Sequence, residues 1–517
     1  MYNQRKAKRC STCATRKIAC DMKHPACSQC LLTGRECPGY HQDHVFLQHS
    51  ISRSSSGKPK VTTLKKSRDT LNKTVSRKPL VGSFVSTTSH RSAVKYTLST
   101  RPESPTSRDD ILIQTIIENF TPFHEIGLIN VGDKSAVSLN SRMCGAWVTL
   151  LPDLFAQSAA EAGVLCIATR ALGTAISGRT NRDAGLISEA LDLVCGGLQA
   201  LRAVLGEPQN VCDVEVLAAS MCFNITEVLL GTSHDGWSVH VQGIAELIRD
   251  RGPSSFVTGT AHHLFTSFRI FMLLEYMQKR KSVFLTEADW LRVPFSMEPK
   301  SSMQTLLDVA SPLPGLLEKL DELSENRPAV QSSSVDEIIK ELDNVQLSLQ
   351  KWEADLKSAH DGPLWWPVSS AEYKRSPSHE NELVFPISSQ FPNILTANTM
   401  THYWAFVAIT NSTIARLCHF PTRTPSPQQP RSRKRKPDDL LTLASNICAS
   451  MAYHMHPSQK LYGPASTFFP LWIALQIFQR DTSSDSRRKE VWCRNLIMEL
   501  EERGLPLAGY LVGCPGI

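Results

Sequence analysis

The chain lacks a long hydrophobic run: no stretch reaches the roughly 18–20 apolar residues that a membrane helix needs. The most apolar stretch near the C-terminus, Phe468 to Phe478, is short and broken by Pro470. The opening residues, MYNQRKAKRC, carry positive charge but no apolar core, so they do not read as a secretory leader. Phosphate loops and the patterns G-x-G-x-x-G, G-x-S-x-G and H-E-x-x-H are missing too. The histidines, among them His240, His262 and His263, have no ligand-spaced partners. These gaps argue against a membrane protein and against the common enzyme scaffolds. They leave the expectation of a soluble chain in a reducing compartment, where cysteines are metal ligands, catalysts or core residues before they are disulfides. The sequons at Asn224 and Asn411 then read as chance matches.

Acidic residues are scarce at one end. Residues 1–110 hold 7 Asp and Glu against 21 Lys and Arg, a balance of +14. The chain as a whole carries +7, so residues 111–517 carry −7. A basic head on a mildly acidic body suits a head that meets a polyanion, although plain solvated tails show the same sign. At 517 residues and 41% apolar content the chain can build a large core and divides into two to four domains.

What the sequence does have is sulfur in a pattern. Six of its 15 cysteines fall within 28 residues: Cys10, Cys13, Cys20, Cys27, Cys30 and Cys37. The spacing is C-x2-C-x6-C-x6-C-x2-C-x6-C, two copies of one three-cysteine unit. Each C-x2-C step lets two thiolates from one short helical turn reach the same metal, and zinc takes four soft ligands in a tetrahedron. Two separate tetrahedra need eight sulfurs. Six suffice for two zinc ions only if two sulfurs bridge, and the internal symmetry assigns the bridges to Cys10 and Cys27. A disulfide knot conflicts with the compartment; a catalytic zinc needs an open position, and this ligand set is closed. A metallothionein-like store is the remaining alternative. The main apolar residues here are Ile18, Met22, Leu31 and Leu32, too few to fold the segment alone. Metal binding supplies most of its folding free energy, on the order of 10 kcal/mol per structural zinc.

The segment CSTCATRKIACDMKHPACSQCLLTGRECPGY resembles the fungal zinc binuclear cluster DNA-binding domain. Beyond the cysteines it matches at Arg16-Lys17, Asp21, Pro25 and the exit Gly34 to Tyr40. Ala14 and Ala19 stand where the family commonly has Arg and Lys, which removes two phosphate contacts. The resemblance implies a short helix from about Ser11 to Ala19 pointing into the major groove of double-stranded DNA. It places base recognition on Lys17 with Arg16 beside it, reading CGG-type triplets; a cation there can donate to guanine O6 and N7. Arg5, Lys6, Lys8 and Arg9 ahead of the cluster, with Lys23 and Arg35 inside it, are expected on phosphates. The bland alternative for each is a solubilising charge. One cluster makes few base contacts, so useful specificity calls for a second module, in a homodimer or a heterodimer.

The chain therefore reads as a cluster domain at 1–40, a disordered basic Ser/Thr-rich linker at 41–110 and a large all-α region at 111–517. Leu64, Leu71 and Val75 are too few for a coiled coil after the cluster. An exposed basic, Pro-rich loop is expected at 421–438. Its RSRKRK run, with Arg5–Arg9 and Lys58–Arg68, could serve nuclear import, which fits a nuclear protein. In the large region Leu186, Ala190, Leu193, Val194, Leu201 and Val204 mark one helix face, and Val211–Leu230 reads as a buried helix. Trp237, Val241, Ile244, Leu247 and Ile248 mark a stripe that Gly252-Pro253 stops. Val335, Ile338, Leu342, Val345, Leu349, Trp352 and Leu356 follow 3-4 spacing behind a capping box of Ser334 and Glu337, packed in the bundle or serving as a self-association seam. GWSVHVQGIAELIRDRGP, RKSVFLTEADW, HYWAF and GPASTFFPLWIA resemble parts of the fungal-specific transcription-factor regulatory domain. That resemblance implies an α-helical bundle answering to co-regulators or a small-molecule inducer.

Together these readings point to a transcription factor acting on RNA polymerase II genes, an activator by family habit and a candidate regulator of one pathway or gene cluster. Its cofactor is zinc, two ions per cluster, and no membrane partner is expected. The rivals are an enzyme with the cluster as accessory, and a zinc module that binds protein and never touches DNA.

Overall fold

A computed structural model describes residues 12–13, 16, 18–21, 27–33 and 35 near the N-terminus. Further on it describes 107–122, 146–158, 163–206, 214–233, 235–325, 332–370, 384–418 and 437–510. These belong to two separate units, one within Met1–Pro102 and one within Glu103–Ile517. The first holds the short helix α1, Ser28–Leu32. The segment read as linker lies almost wholly outside the described residues, as do the loop at 421–436 and all three basic runs.

The larger unit starts earlier than 111. Helix α2 spans Arg108–Phe120 and opens on a reciprocal cap: Asp110 N–H donates to Ser107 Oγ at 3.2 Å, and Ser107 N–H donates to Asp110 Oδ2 at 3.1 Å. Asp109 in that first turn accepts a two-pronged guanidinium from Arg170, at 2.7 Å for each prong. Arg170 lies on α4, Val164–Asn181, which follows the short α3, Leu151–Gln157.

Helix α4 is buried along most of its length between α2, α5 (Ala184–Leu205) and α6 (Val214–Leu230). The buried reading of α6 holds from Val216 through Leu230, every residue of which is enclosed. Asn224 and Asn411 are both buried, so neither sequon presents a side chain for glycosylation. Helix α5 corrects one expectation, because by length and composition alone it is apolar enough to cross a membrane. Glu189, Asp192 and Arg202 interrupt its apolar character, so no unbroken run shows in the sequence. In the fold Ile187, Leu191, Val194 and Leu201 pack on the core while Asp192 and Arg202 are exposed. Gly197 is needed where α5 crosses α6, since a Cβ there would strike the Phe223 ring.

Helix α7, Gly236–Arg251, buries Val241, Ile244 and Ile248 as the stripe predicts. Gly252 ends it at φ 76°, a conformation costly for other residues, with its N–H on Arg249 O. Helix α8, Gly259–Lys279, carries the fully buried Arg269. Its guanidinium is paired with Asp308 and bonds Gln304 through O at 3.1 Å and Oε1 at 3.2 Å. Asp308 also pairs with Lys300. These contacts tie α8 to α10, Ser302–Ala310, across the short α9, Ala288–Arg292.

After α11, Leu313–Glu325, comes the longest helix, α12, Ser332–Ala359. It begins two residues before Ser334, which is therefore inside the helix and cannot be its N-cap, so the proposed capping box is not formed. The 3-4 stripe is buried from Val335 to Trp352, with Leu356 packed at its end. It faces α10, α11 and α13, Ile394–Cys418, within this unit. Leu342→Ala is expected to cost about 3 kcal/mol, seen as a lower urea midpoint with unchanged mass by light scattering. A halved mass at an unchanged midpoint would make this stripe a self-association seam instead.

The region is not purely α. Trp366–Ser369 (β1) and Ile387–Gln390 (β2) pair antiparallel, Trp366 opposite Gln390, and β2 lies on α14, Pro437–His454. Four-residue strands, one with Pro367, carry too little alternation to register as strand signals. Short α15 (Tyr462–Ala465), α16 (Phe468–Arg480), α17 (Ser484–Glu502) and α18 (Leu507–Tyr510) complete the unit. The last returns to α6, where Tyr510 Oη donates to Gly231 O.

Candidate metal centre and nucleic-acid interface

The small unit is organised around sulfur. Cys13, Cys27 and Cys30 are fully buried, and Ile18 is the one described aliphatic side chain packed against them. Leu31 and Leu32 are 66% and 81% exposed, so they add nothing to a core. The apolar content available for folding is thus smaller than the sequence suggests, which strengthens the case for a metal.

Three sulfurs from two different units meet: those of Cys13, Cys20 and Cys27 all lie within 4.8 Å of one another. Cys13 Sγ and Cys27 Sγ are 3.6 Å apart. A zinc tetrahedron with bonds of about 2.3 Å has an S···S edge of about 3.8 Å, so the separation fits two thiolates on one ion. Cys27 also accepts the Cys30 backbone N–H at 3.4 Å as the N-cap of α1. Among the described residues the cysteines are thiols, not disulfides. Soft thiolate donors suit zinc, which would cross-link the two cysteine repeats.

Local hydrogen bonds explain the backbone. Arg16 N–H donates to Thr12 O, but Ile18 N–H reaches back to Cys13 O. The helical turn is closed there, so Ile18 and Ala19 are not helical and the expected helix to Ala19 is too long. Asp21 Oδ1 accepts the Ser28 N–H at 3.0 Å, capping α1 from the preceding unit. Arg16 Nη1 donates to Thr33 Oγ1 at 3.4 Å, again from one unit to the other. Half-buried Arg16 thus has a partner within the module. Arg35 is exposed, with its N–H on Cys30 O. The sequence reading missed Thr33, whose signal was its place as C-cap of a one-turn helix. Cys10, Cys37, Lys17, Arg5, Lys8, Arg9 and Lys23 lie outside the described residues.

Comparison with known proteins agrees with this chemistry. Residues 8–44 match the fungal Zn(2)-Cys(6) binuclear cluster domain, and residues 133–363 match the fungal specific transcription factor domain. The former binds two zinc ions and DNA; both belong to transcription factors, not enzymes. An uncharacterized protein of Emericella nidulans is 26% identical over 187 residues, 33% of this chain. The chain covers 40% of that relative's length. No solved structure matches.

Proposed function

This chain belongs to the fungal Zn(2)-Cys(6) transcription factors, and on that premise we propose that it regulates RNA polymerase II genes from the nucleus by reading short CGG-like elements. The observation that carries the reading is the meeting of Cys13, Cys20 and Cys27. In the proposed site Cys10, Cys13, Cys20, Cys27, Cys30 and Cys37 hold two zinc ions, with Cys10 and Cys27 shared. Lys17, between Arg16 and Ile18 where the first turn closes, donates to guanine. Arg5, Lys8, Arg9, Lys23 and Arg35 set the module on phosphates, which positions it without reading sequence. A second module, in a homodimer or heterodimer, supplies the rest of the specificity, and the helical unit responds to a co-regulator or inducer. The family favours this over an enzyme.

Lys17→Ala is expected to keep both zinc ions and lose about 1–3 kcal/mol of discrimination for the G·C element. Selection from random duplexes with the full chain, wild type and variant, measures it. Unchanged preference would remove Lys17 from the reading role, and no enriched motif for wild type would favour a protein-binding zinc module.

A further inference from the structure

Two cysteines outside the metal centre touch each other. Cys448 lies on α14 and Cys493 on α17, and their sulfurs are 3.6 Å apart. Both are free thiols and both are buried. The two helices each pack on α16, and that packing brings together sulfurs 45 residues apart in the chain. A single buried cysteine is an inert, small apolar side chain. Two in contact are a dithiol, and these sulfurs need to approach by only about 1.5 Å to reach bonding distance.

A cation stands beside the pair. Lys489, four residues before Cys493, donates from Nζ to Ser445 Oγ at 3.2 Å, three residues before Cys448. The ammonium is thus set one helical turn from each cysteine. It also pairs with Asp485 at 2.8 Å and stands 5.7 Å from the centres of the Phe385 and Phe478 rings. With its side chain 18% exposed, Lys489 links this buried site to solvent. Burial, and then Cys493, hold the Cys448 thiol well above its ordinary range, with Lys489 pulling the other way. The resting pair is therefore a protonated dithiol.

We propose that Cys448 and Cys493 form a reversible redox lock of the helical unit, closed by a hydroperoxide of which hydrogen peroxide is the simplest. One sulfur, as thiolate, attacks a peroxide oxygen. The O–O bond breaks, an S–O bond forms, and the thiol proton leaves on the departing oxygen as water. The second sulfur then attacks the sulfenic sulfur; S–O breaks, S–S forms, and the second thiol proton leaves in a second water. The thiols lose two electrons and the peroxide gains two. The new bond ties α17 to α14 directly. This device is in the helical unit and does not depend on the zinc module's reading of DNA.

The test treats the full-length, zinc-loaded protein with hydrogen peroxide, blocks the remaining thiols and maps the digested peptides by mass spectrometry. Peptides joined through Cys448 and Cys493, and released by a phosphine reductant, are expected. Slower hydrogen exchange in α14 and α17 and a thermal midpoint raised by a few degrees should accompany them. Cys493→Ala and Cys448→Ala are each expected to lose the cross-link and the shift. The wild-type map decides the bond without either variant, and the zinc-module cysteines lie on other peptides, so their oxidation is read separately. Recovery of Cys448 and Cys493 as separately blocked thiols or separate sulfinic acids overturns the lock, as does an equal midpoint rise in Cys493→Ala.

Discussion

Cys20→Ala removes zinc and DNA binding from the chain together. Cys20 is one of the three sulfurs within 4.8 Å of one another, drawn from both cysteine units, and its loss leaves one metal with an incomplete tetrahedron. Nothing else compensates, because the described apolar packing around the sulfurs is Ile18 alone. The forfeited folding free energy is on the order of 10 kcal/mol per ion, more than a module of this size can spare. Elemental analysis should show reduced zinc and a mobility-shift assay no specific complex, while the helical signal of the larger unit is retained. Full DNA affinity in a zinc-free variant would sink the mechanism.

Acidification from pH 7 to pH 4.5 is expected to cost the helical unit on the order of 5 kcal/mol through two histidines. His402 on α13 is buried, its Nδ1 bonded to Asn398 O at 2.8 Å and its ring stacked on Phe469. His454 at the end of α14 is fully buried beside Ser466 Oγ. Burial pushes His402 down to about 4; burial and then the proximity of His402 push His454 down to about 3. Both folded values lie below the unfolded value of about 6.5. Above that pH both states are neutral and there is no penalty. As pH falls through 6.5 the unfolded chain takes up protons that the folded chain refuses, and stability drops until the folded values are reached. Glu227, which burial raises, works in the opposite direction. Asp109, lowered by its bond to Arg170, contributes its loss only at lower pH. Urea midpoints at the two pH values measure the effect, and His402→Gln with His454→Gln should make the profile shallower, leaving the share of His240, which burial also pushes down to about 4. An equally steep profile in the double variant would assign the acid sensitivity elsewhere.

Much of the metal site was legible because its constraint is local and chemical. The cysteine spacing dictates the ligand types and their closeness, and the sulfurs of Cys13, Cys20 and Cys27 do meet. The helical stripe of α7 and its stop at Gly252 were legible for a similar reason, since periodicity and a single φ value act over a few residues. What did not show is what depends on partners distant in sequence. The hydrogen bond from Arg16 to Thr33, 17 residues on, leaves no trace in the local sequence. Arg269 is an ordinary arginine in a helix until Gln304 and Asp308 close around it. Ser334 satisfies a capping rule, yet α12 already runs from Ser332. The paired four-residue strands have no periodicity to detect.

A module whose described interior is sulfur with a single isoleucine packed on it is folded only as far as the cell supplies the ion. Each tenfold fall in available zinc, while it still exceeds the dissociation constant, costs about 1.4 kcal/mol per ion, and that loss lands on the DNA-reading unit alone. The helical unit, held by its own apolar interior, pays nothing. Metal starvation would therefore silence this regulator on its target sites while leaving the greater part of the polypeptide intact, ready to be rearmed without new synthesis.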